Sequence, residues 1–445
     1  MIPSLSIAAC LLIVVYFLNN KYNLLFVLVV LSLIGNLFSV HILGVRMKFI
    51  SIISLIIFFF FILGRLRFYQ NNLKFKFYLK YELLLLFITG VLFTVFFPWE
   101  SQFTDIVSFA QKLEMKALIG FTRILSDVMI VLSIPIILFK IKFKQNFLSK
   151  LFFSIILLQF IVSIIDFFTG YYLRQLLFDA PELLSDRFFG FNHEPRALGR
   201  NSLFAMIFMQ HLYKSSNNID IYAKLGRNVA FLSIIISFSL STYIAFIIIY
   251  AITSLKSLKT LFVTVFSFAL LFFVSVKIPY IKNNTIPKFN RIILEGKSGG
   301  TVFDGPEIFS HFEATNAAYL YFIWENPQHL LLGTGPNLIN IAYEKYALIN
   351  WQEDKNYFVS VAPTLGLFRL LARSGILGLV ILLIFVFKLK KRILILSRND
   401  VIRQSRLNLL YLSSLLLLML YNQWFYFVLG YLVYETFSEF KKNRL

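Results

Sequence analysis

The chain has 445 residues, 58% of them hydrophobic, and Phe alone supplies 53. Soluble domains average about 45–50% apolar residues, so one helical membrane body fits better than a row of soluble domains. The formal net charge of +21 sits in short links between apolar runs, which argues for topology charge and against a nucleic-acid partner.

Apolar runs fall near 3–18, 22–40, 49–64, 82–98, 118–139 and 151–173. Several approach the roughly 17–25 residues that cross a bilayer core, and backbone groups in lipid must pair internally, so each run is expected to be a helix. The first run holds Cys10, the only cysteine, so no internal disulfide or cysteine-based metal site is available. It lacks a charged leader region and reads as a retained helix rather than a cleaved signal. Arg123 and Asp127 stand i,i+4 in FTRILSDVMIVL, either as a structural ion pair or as part of a substrate cavity, and Asp166 is a further intramembrane charge.

A shorter run near 201–213 follows the polar stretch 174–198. The run 228–255 has basic residues at both ends, Lys224 and Arg227 before it and Lys256 and Lys259 after it, with SFSLST in its middle. Two short helices meeting near Ser237–Thr242 would return both ends to one side; a single tilted helix is the rival reading. After a run near 260–277 comes the longest polar stretch, 278–364, and then runs near 365–387, 407–421 and 423–438.

Basic links such as GRLRFYQNNLKFKFYLK, KIKFKQNFLSK and KLKKRILILSRNDVIRQSR belong in the cytoplasm by the positive-inside rule, which places 174–198 and 278–364 outside. The expected fold class is all-α, a polytopic membrane protein of about 12–14 transmembrane helices. Its organisation reads as N-terminal helices 1–173, an arginine-rich outer loop 174–198, central helices 199–277, a large outer loop 278–364, and C-terminal helices with a cytoplasmic tail 365–445. In the large loop, Phe312, Thr315, Ala318, Tyr319 and Phe322 make an apolar stripe that predicts a helix near 307–324, packed over the mouth of a cavity. Pro327 bounds it, and Gly333, Gly335 and Pro336 make a turn.

The densest outer constellation is SDRFFGFNHEPRALGRNS. Arg187, Arg196 and Arg200 offer three guanidiniums, whose planar forks match phosphate oxygens. Arg196 and Arg200 share a face if helical. The plainer reading is that these arginines grip ordinary phospholipid or pair with Asp179, Glu182 and Asp186. Glu194 is the nearest carboxylate for general-base work or, more simply, an ionised partner of the arginines, and His193 is a weaker acid–base candidate. Arg291, Lys297 and His311 add basic groups in the large loop. GKSGG lacks the spacing of a phosphate loop, and no cluster implies a metal or other cofactor.

Four stretches together resemble the O-antigen polymerase and O-antigen ligase superfamily of bacterial envelope glycosyltransferases. They are RFFGFNHEPRALGRNSLFAM, the serine-rich SFSLSTYIAF, the turn ENPQHLLLGTGPN and the helix entry RLLARSGILGLVILL. In the first, Arg187, Gly190, Glu194 and Pro195 occupy the family's places. The resemblance implies a metal-independent inverting enzyme of the bacterial inner membrane. Such an enzyme moves glycan from undecaprenyl diphosphate to an acceptor sugar on the periplasmic face. It carries over Arg187 as the phosphate-binding position; a second family arginine upstream of the GxG turn has no clear match here, and Arg291 and His311 are only substitutes for it. Together with the reading of the residues themselves, the catalytic candidates are Arg187, Glu194 and Arg291, and the substrate-binding candidates are His193, Arg196, Arg200, Lys297 and His311. The partners implied are the undecaprenyl-diphosphate-linked oligosaccharide, membrane lipid and a chain-length regulator. Pro363 and Thr364 stand where the ligases carry a histidine, which favours a polysaccharide-repeat polymerase. A ligase or related transferase is one alternative and a lipid-linked oligosaccharide transporter another.

Overall fold

The computed structural model describes residues 3–42, 45–62, 113–141, 145–170, 172, 188–192, 195–215, 220–254, 311–334, 365–397 and 399–442. The apolar runs 82–98 and 260–277, the link 65–80 and most of both polar stretches lie outside these residues.

The described chain is mostly helical. The N-terminal elements are α1 (Pro3–Leu18), α2 (Tyr22–Ile34), strands β1 (Ser39–Ile42) and β2 (Val45–Lys48), and α3 (Phe49–Ile62). Then come α4 (Leu113–Lys140), α5 (Gln145–Phe168), α6 (Pro195–Ser215), α7 (Ile221–Ile236) and α8 (Leu240–Ser254). Helices α9 (His311–Glu325) and α10 (Gln328–Leu332) belong to the longest polar stretch. The C-terminal helices are α11 (Gly366–Leu396), α12 (Asp400–Met419) and α13 (Trp424–Lys442). Among the described residues, three segments are long and apolar enough to cross a membrane: Gly120–Lys140, Asn146–Phe168 and Gly366–Leu396. The fold is that of a helical membrane protein, with one departure from the expected pattern. The run 22–40 ends as a helix at Ile34, and the chain then forms an antiparallel hairpin in which Ser39 pairs with Lys48 and Ile42 with Val45.

Burial separates central helices from peripheral ones. The apolar window of Gly120–Lys140 is 78% buried, against 33% for Asn146–Phe168. Helix α4 is therefore a core element, while α5 shows Leu158, Ile161, Ile165 and Phe168 outward, as a lipid-facing helix would. Trp424 is fully buried and gathers Phe152, Phe204, Phe208 and Phe427 at ring-centroid distances of 5.7–6.3 Å. Aromatic side chains carry large buried areas and prefer such offset or edge contacts, so this cluster anchors α5, α6 and α13 together.

The serine-rich run is broken as one of the two readings expected. Helix α7 ends at Ile236, Phe238 has a φ of 44°, and α8 begins at Leu240. Hydroxyls take up the groups freed by the break. Ser237 donates to the Ile234 carbonyl at 2.7 Å, Thr242 donates to Ser239 Oγ at 3.0 Å, and Tyr243 donates to the Ile235 carbonyl. Gly199 lets α6 approach this break, since a Cβ there would lie 2.6 Å from both Ser237 Oγ and Thr242 Oγ1.

The helices alternate in direction, so polar contacts collect at two ends. At one end, the end of α2 meets the starts of α6 and α13. At the other, the end of α6 meets the start of α12 and the end of α13. There His211 Nδ1 is 2.9 Å from Ser405 Oγ, and Arg406 donates to Glu435 and Ser397 at 2.7 and 2.8 Å. Tyr431 donates to Glu435 at 2.7 Å. This second cluster is closed on itself: each charge is paired and hydrogen-bonded, as a buried ion must be. The described basic residues Lys224, Arg227, Lys388, Lys390, Lys391 and Arg392 lie toward this second end.

Candidate functional site

The first end carries a continuous polar layer built around the break at residues 420–423, between α12 and α13. Alternate residues of that break face different partners. Asn422 donates to Asn201 Oδ1 at 2.8 Å, and Asn201 donates to Asn192 Oδ1 and the Ile34 carbonyl, each at 3.0 Å. The Asn36 amide donates to Asn192 at 3.1 Å and the Leu37 amide to the Phe191 carbonyl at 2.9 Å. These bonds fasten residues 188–192 against the end of α2. Gly190, with a φ of 54°, lies against α5, where a Cβ would meet Ser163 Oγ at 2.4 Å. Only glycine combines that backbone with that approach.

On either side of Asn422 the break reaches a buried carboxylate. Gln423 donates to Asp127 Oδ1 at 3.0 Å and to Ser51 at 2.9 Å, and Tyr421 donates its hydroxyl to Asp127 Oδ2. Arg373 donates to the same Oδ2 from both terminal nitrogens at 3.3 Å, and also contacts the Tyr421 hydroxyl. Two guanidiniums lie near the Tyr421 ring, Arg369 at 5.4 Å and Arg373 at 5.0 Å from its centroid. Arg123, one turn before Asp127 on α4, is exposed and within electrostatic reach of Arg373, Asp127 and Tyr421. Asp127 thus pairs with Arg373 on α11, which corrects the expectation of an Arg123–Asp127 pair within α4. Among the described residues, Arg373 is the guanidinium that meets the carboxylate, with Arg369 beside Tyr421 and Arg123 in electrostatic reach. A small cavity of about 30 Å³ beside Arg373, walled by Ile124, Val128, Leu370, Ser374 and Tyr426, has room for water.

The large polar stretch reaches this layer as well. The turn after α10 places Gly333 and Thr334 against α11 where Gly375, at φ 60° and ψ −168°, interrupts the helix. Two of the four sequence stretches, the turn ENPQHLLLGTG and the helix entry RLLARSGILG, are therefore in contact.

Of the residues singled out from the sequence, Arg196 lies exposed in the first turn of α6 and Arg200 is half-buried one turn later, immediately before Asn201. His311 opens α9. Arg187, His193, Glu194, Arg291 and Lys297 lie outside the described residues. Sequence reading passed over Arg369, Arg373, Tyr421 and Gln423. The signal was present for the first two: arginines spaced i,i+4 in an otherwise apolar run are as conspicuous as Arg123 and Asp127. Tyr421 and Gln423 gave no signal, because polar residues between two helices ordinarily mark a loop. Among the described residues, no three His, Cys, Asp or Glu side chains gather as a metal site.

No protein-family model matches this chain, and no curated protein matches it closely enough to count as a relative.

The layer suits an anion. Guanidiniums keep their charge at any ordinary pH and match phosphate oxygens in bidentate fashion. Arg373 is held by Asp127 and Tyr421, and Arg369 and Arg123 lie near the same tyrosine and carboxylate, so guanidiniums gather at this end of the helices.

Proposed function

We propose that the chain is a membrane-embedded polymerase of lipid-linked polysaccharide repeat units, working at the periplasmic face of a bacterial inner membrane. The observation that carries this reading is the gathering of Arg369 and Arg373 around Tyr421, at the end of the helices where residues 188–192 and the Gly333–Thr334 turn also lie. A charged cluster among membrane helices is expensive and faces a protein interior or water-filled space. A phosphorylated amphiphile, with its diphosphate at the bilayer surface and its chain in lipid, fits such a place.

In this proposal an acceptor hydroxyl oxygen attacks the anomeric carbon of a glycan held on undecaprenyl diphosphate. The new glycosidic bond forms as the bond from that carbon to the diphosphate oxygen breaks, and the lipid diphosphate departs with the electron pair. A single displacement inverts the anomeric centre. Negative charge grows on the leaving diphosphate, and fixed guanidiniums stabilise it most in the transition state. Arg187 and Arg291 join Arg373 in that role. Glu194 takes the acceptor proton. His193, Arg196, Arg200, Lys297 and His311 hold the sugar and phosphate groups. The carrier is already activated, so the reaction needs no nucleotide or metal. A chain-length regulator is the partner proposed beyond substrate and lipid.

Cells lacking the protein test the reaction class. The expected phenotype is surface glycan of single repeat units, restored to long chains by the wild-type gene but not by folded Arg187→Ala. Long chains accumulating on the lipid carrier would instead identify a ligase.

A further inference from the structure

The segment 311–334 meets α11 at three successive levels. At the start of α11, the Leu365 amide donates to Asn316 Oδ1 at 3.5 Å. One turn on, buried Tyr319 meets Phe368 with ring centroids 5.9 Å apart. One further turn on, Thr334 donates both its amide and its hydroxyl to the Ala372 carbonyl, each at 2.9 Å. That last carbonyl is special because the helix breaks three residues later at Gly375. A break deprives the carbonyls of the preceding turn of their helical donors, and a buried backbone group without a partner is unfavourable. Thr334 supplies two donors from outside the helix.

The seat is shaped for close approach. A Cβ on Gly333 would lie 2.8 Å from the Gly375 nitrogen, and one on Gly375 would lie 2.3 Å from the Leu331 carbonyl oxygen. His329 braces the turn. Its Nδ1 lies 3.0 Å from the Gly333 carbonyl, the Gly333 amide donates to the His329 carbonyl at 2.8 Å, and its ring packs 4.9 Å from Phe322. The residue that follows Ala372 is Arg373, whose guanidinium is held by Asp127 and Tyr421.

We infer that Thr334 is a positioning residue for the arginine layer. By completing the broken turn of α11 it fixes the backbone that carries Arg373, so the layer is assembled when the 311–334 segment is seated. The chemical consequence rests on the polymerase reading; the seating does not. Thr334 makes no claim on the substrate itself.

The test uses the full-length chain in lipid nanodiscs, with Cys10 replaced by Ser and spin labels at Trp324→Cys and Phe387→Cys, both exposed positions on α9 and α11. The wild-type background and Thr334→Ser, which keeps the hydroxyl, should give one narrow label distance. Thr334→Val keeps the shape and loses the hydroxyl. It should broaden the distance and lower turnover of an undecaprenyl-diphosphate repeat unit about fivefold to tenfold, with little change in KM. Gly375→Ala attacks the seat from the other side and should produce the same pair of changes, larger. Lost turnover in Thr334→Val with the distance still narrow would overturn the inference, as would a broadened distance with full turnover. If the wild type does not polymerise, the proposed reaction fails. The distances then decide the seating alone, and an unbroadened Thr334→Val would overturn it.

Discussion

Asp127 lies one helical turn from Arg123 and yet pairs with Arg373, 246 positions away. Helical order explains part of this: an acidic residue placed N-terminal to its basic partner makes the better i,i+4 pair, and here the order is reversed. Packing explains the rest, because α4 is buried and Tyr421 and Gln423 also converge on the carboxylate. Removing one member of a buried pair costs about 3–5 kcal/mol, since the other charge is left without its partner. Arg373→Ala should therefore lose both folded protein and activity. Adding Asp127→Asn separates the two effects. The double variant should recover detergent-stable protein, read by size-exclusion profile and thermal unfolding, while polymerisation stays down about a hundredfold. Recovery of activity together with stability would reduce Arg373 to a structural ion. At this scale the sequence showed which charges were out of place in an apolar run, but not their partners, because partner choice is a long-range packing outcome.

The break between α7 and α8 was legible because hydroxyl residues cluster where the apolar run has basic residues at both ends. Serine and threonine hydrogen-bond locally to backbone carbonyls and so tolerate an interrupted helix. The helix at 311–325 was legible from its apolar stripe, and its Tyr319 and Phe322 are buried. The hairpin at 39–48 was not. Two four-residue strands give too short an alternating pattern to stand out from the apolar helices on either side. Gly199 tests how tightly the α7–α8 break is seated on α6. Any Cβ there meets two hydroxyl oxygens at 2.6 Å. Gly199→Ala should lower stability in thermal unfolding by about 1–3 kcal/mol, and Gly199→Val by more, through overpacking. An unchanged unfolding midpoint for Gly199→Val would mean that the two elements are not in contact.

Across the whole molecule, the polar layer and the described basic links occupy opposite ends of the helices. The proposed function, with the positive-inside rule, sets the layer at the outer face, which labelling tests. Single cysteines introduced at Trp324 and at Lys391, with Cys10 replaced, should react with an impermeant thiol reagent in intact spheroplasts at the first position only. The reverse pattern would place the arginine layer in the cytoplasm. Composition and charge placement made the class of molecule readable, since a bilayer constrains every crossing segment in the same way. The chemistry was less readable, because Arg369, Arg373 and Tyr421 become neighbours only when α11, α12 and α13 pack. The most direct measurement incubates purified protein with a defined undecaprenyl-diphosphate repeat unit, without nucleotide or added metal, and resolves the products by length. The expected products are a ladder of inverted-linkage oligomers and released undecaprenyl diphosphate, both nearly absent with folded Arg373→Ala/Asp127→Asn. A wild-type reaction that leaves the repeat unit unextended, or a double variant that extends it as fast, would contradict the proposal.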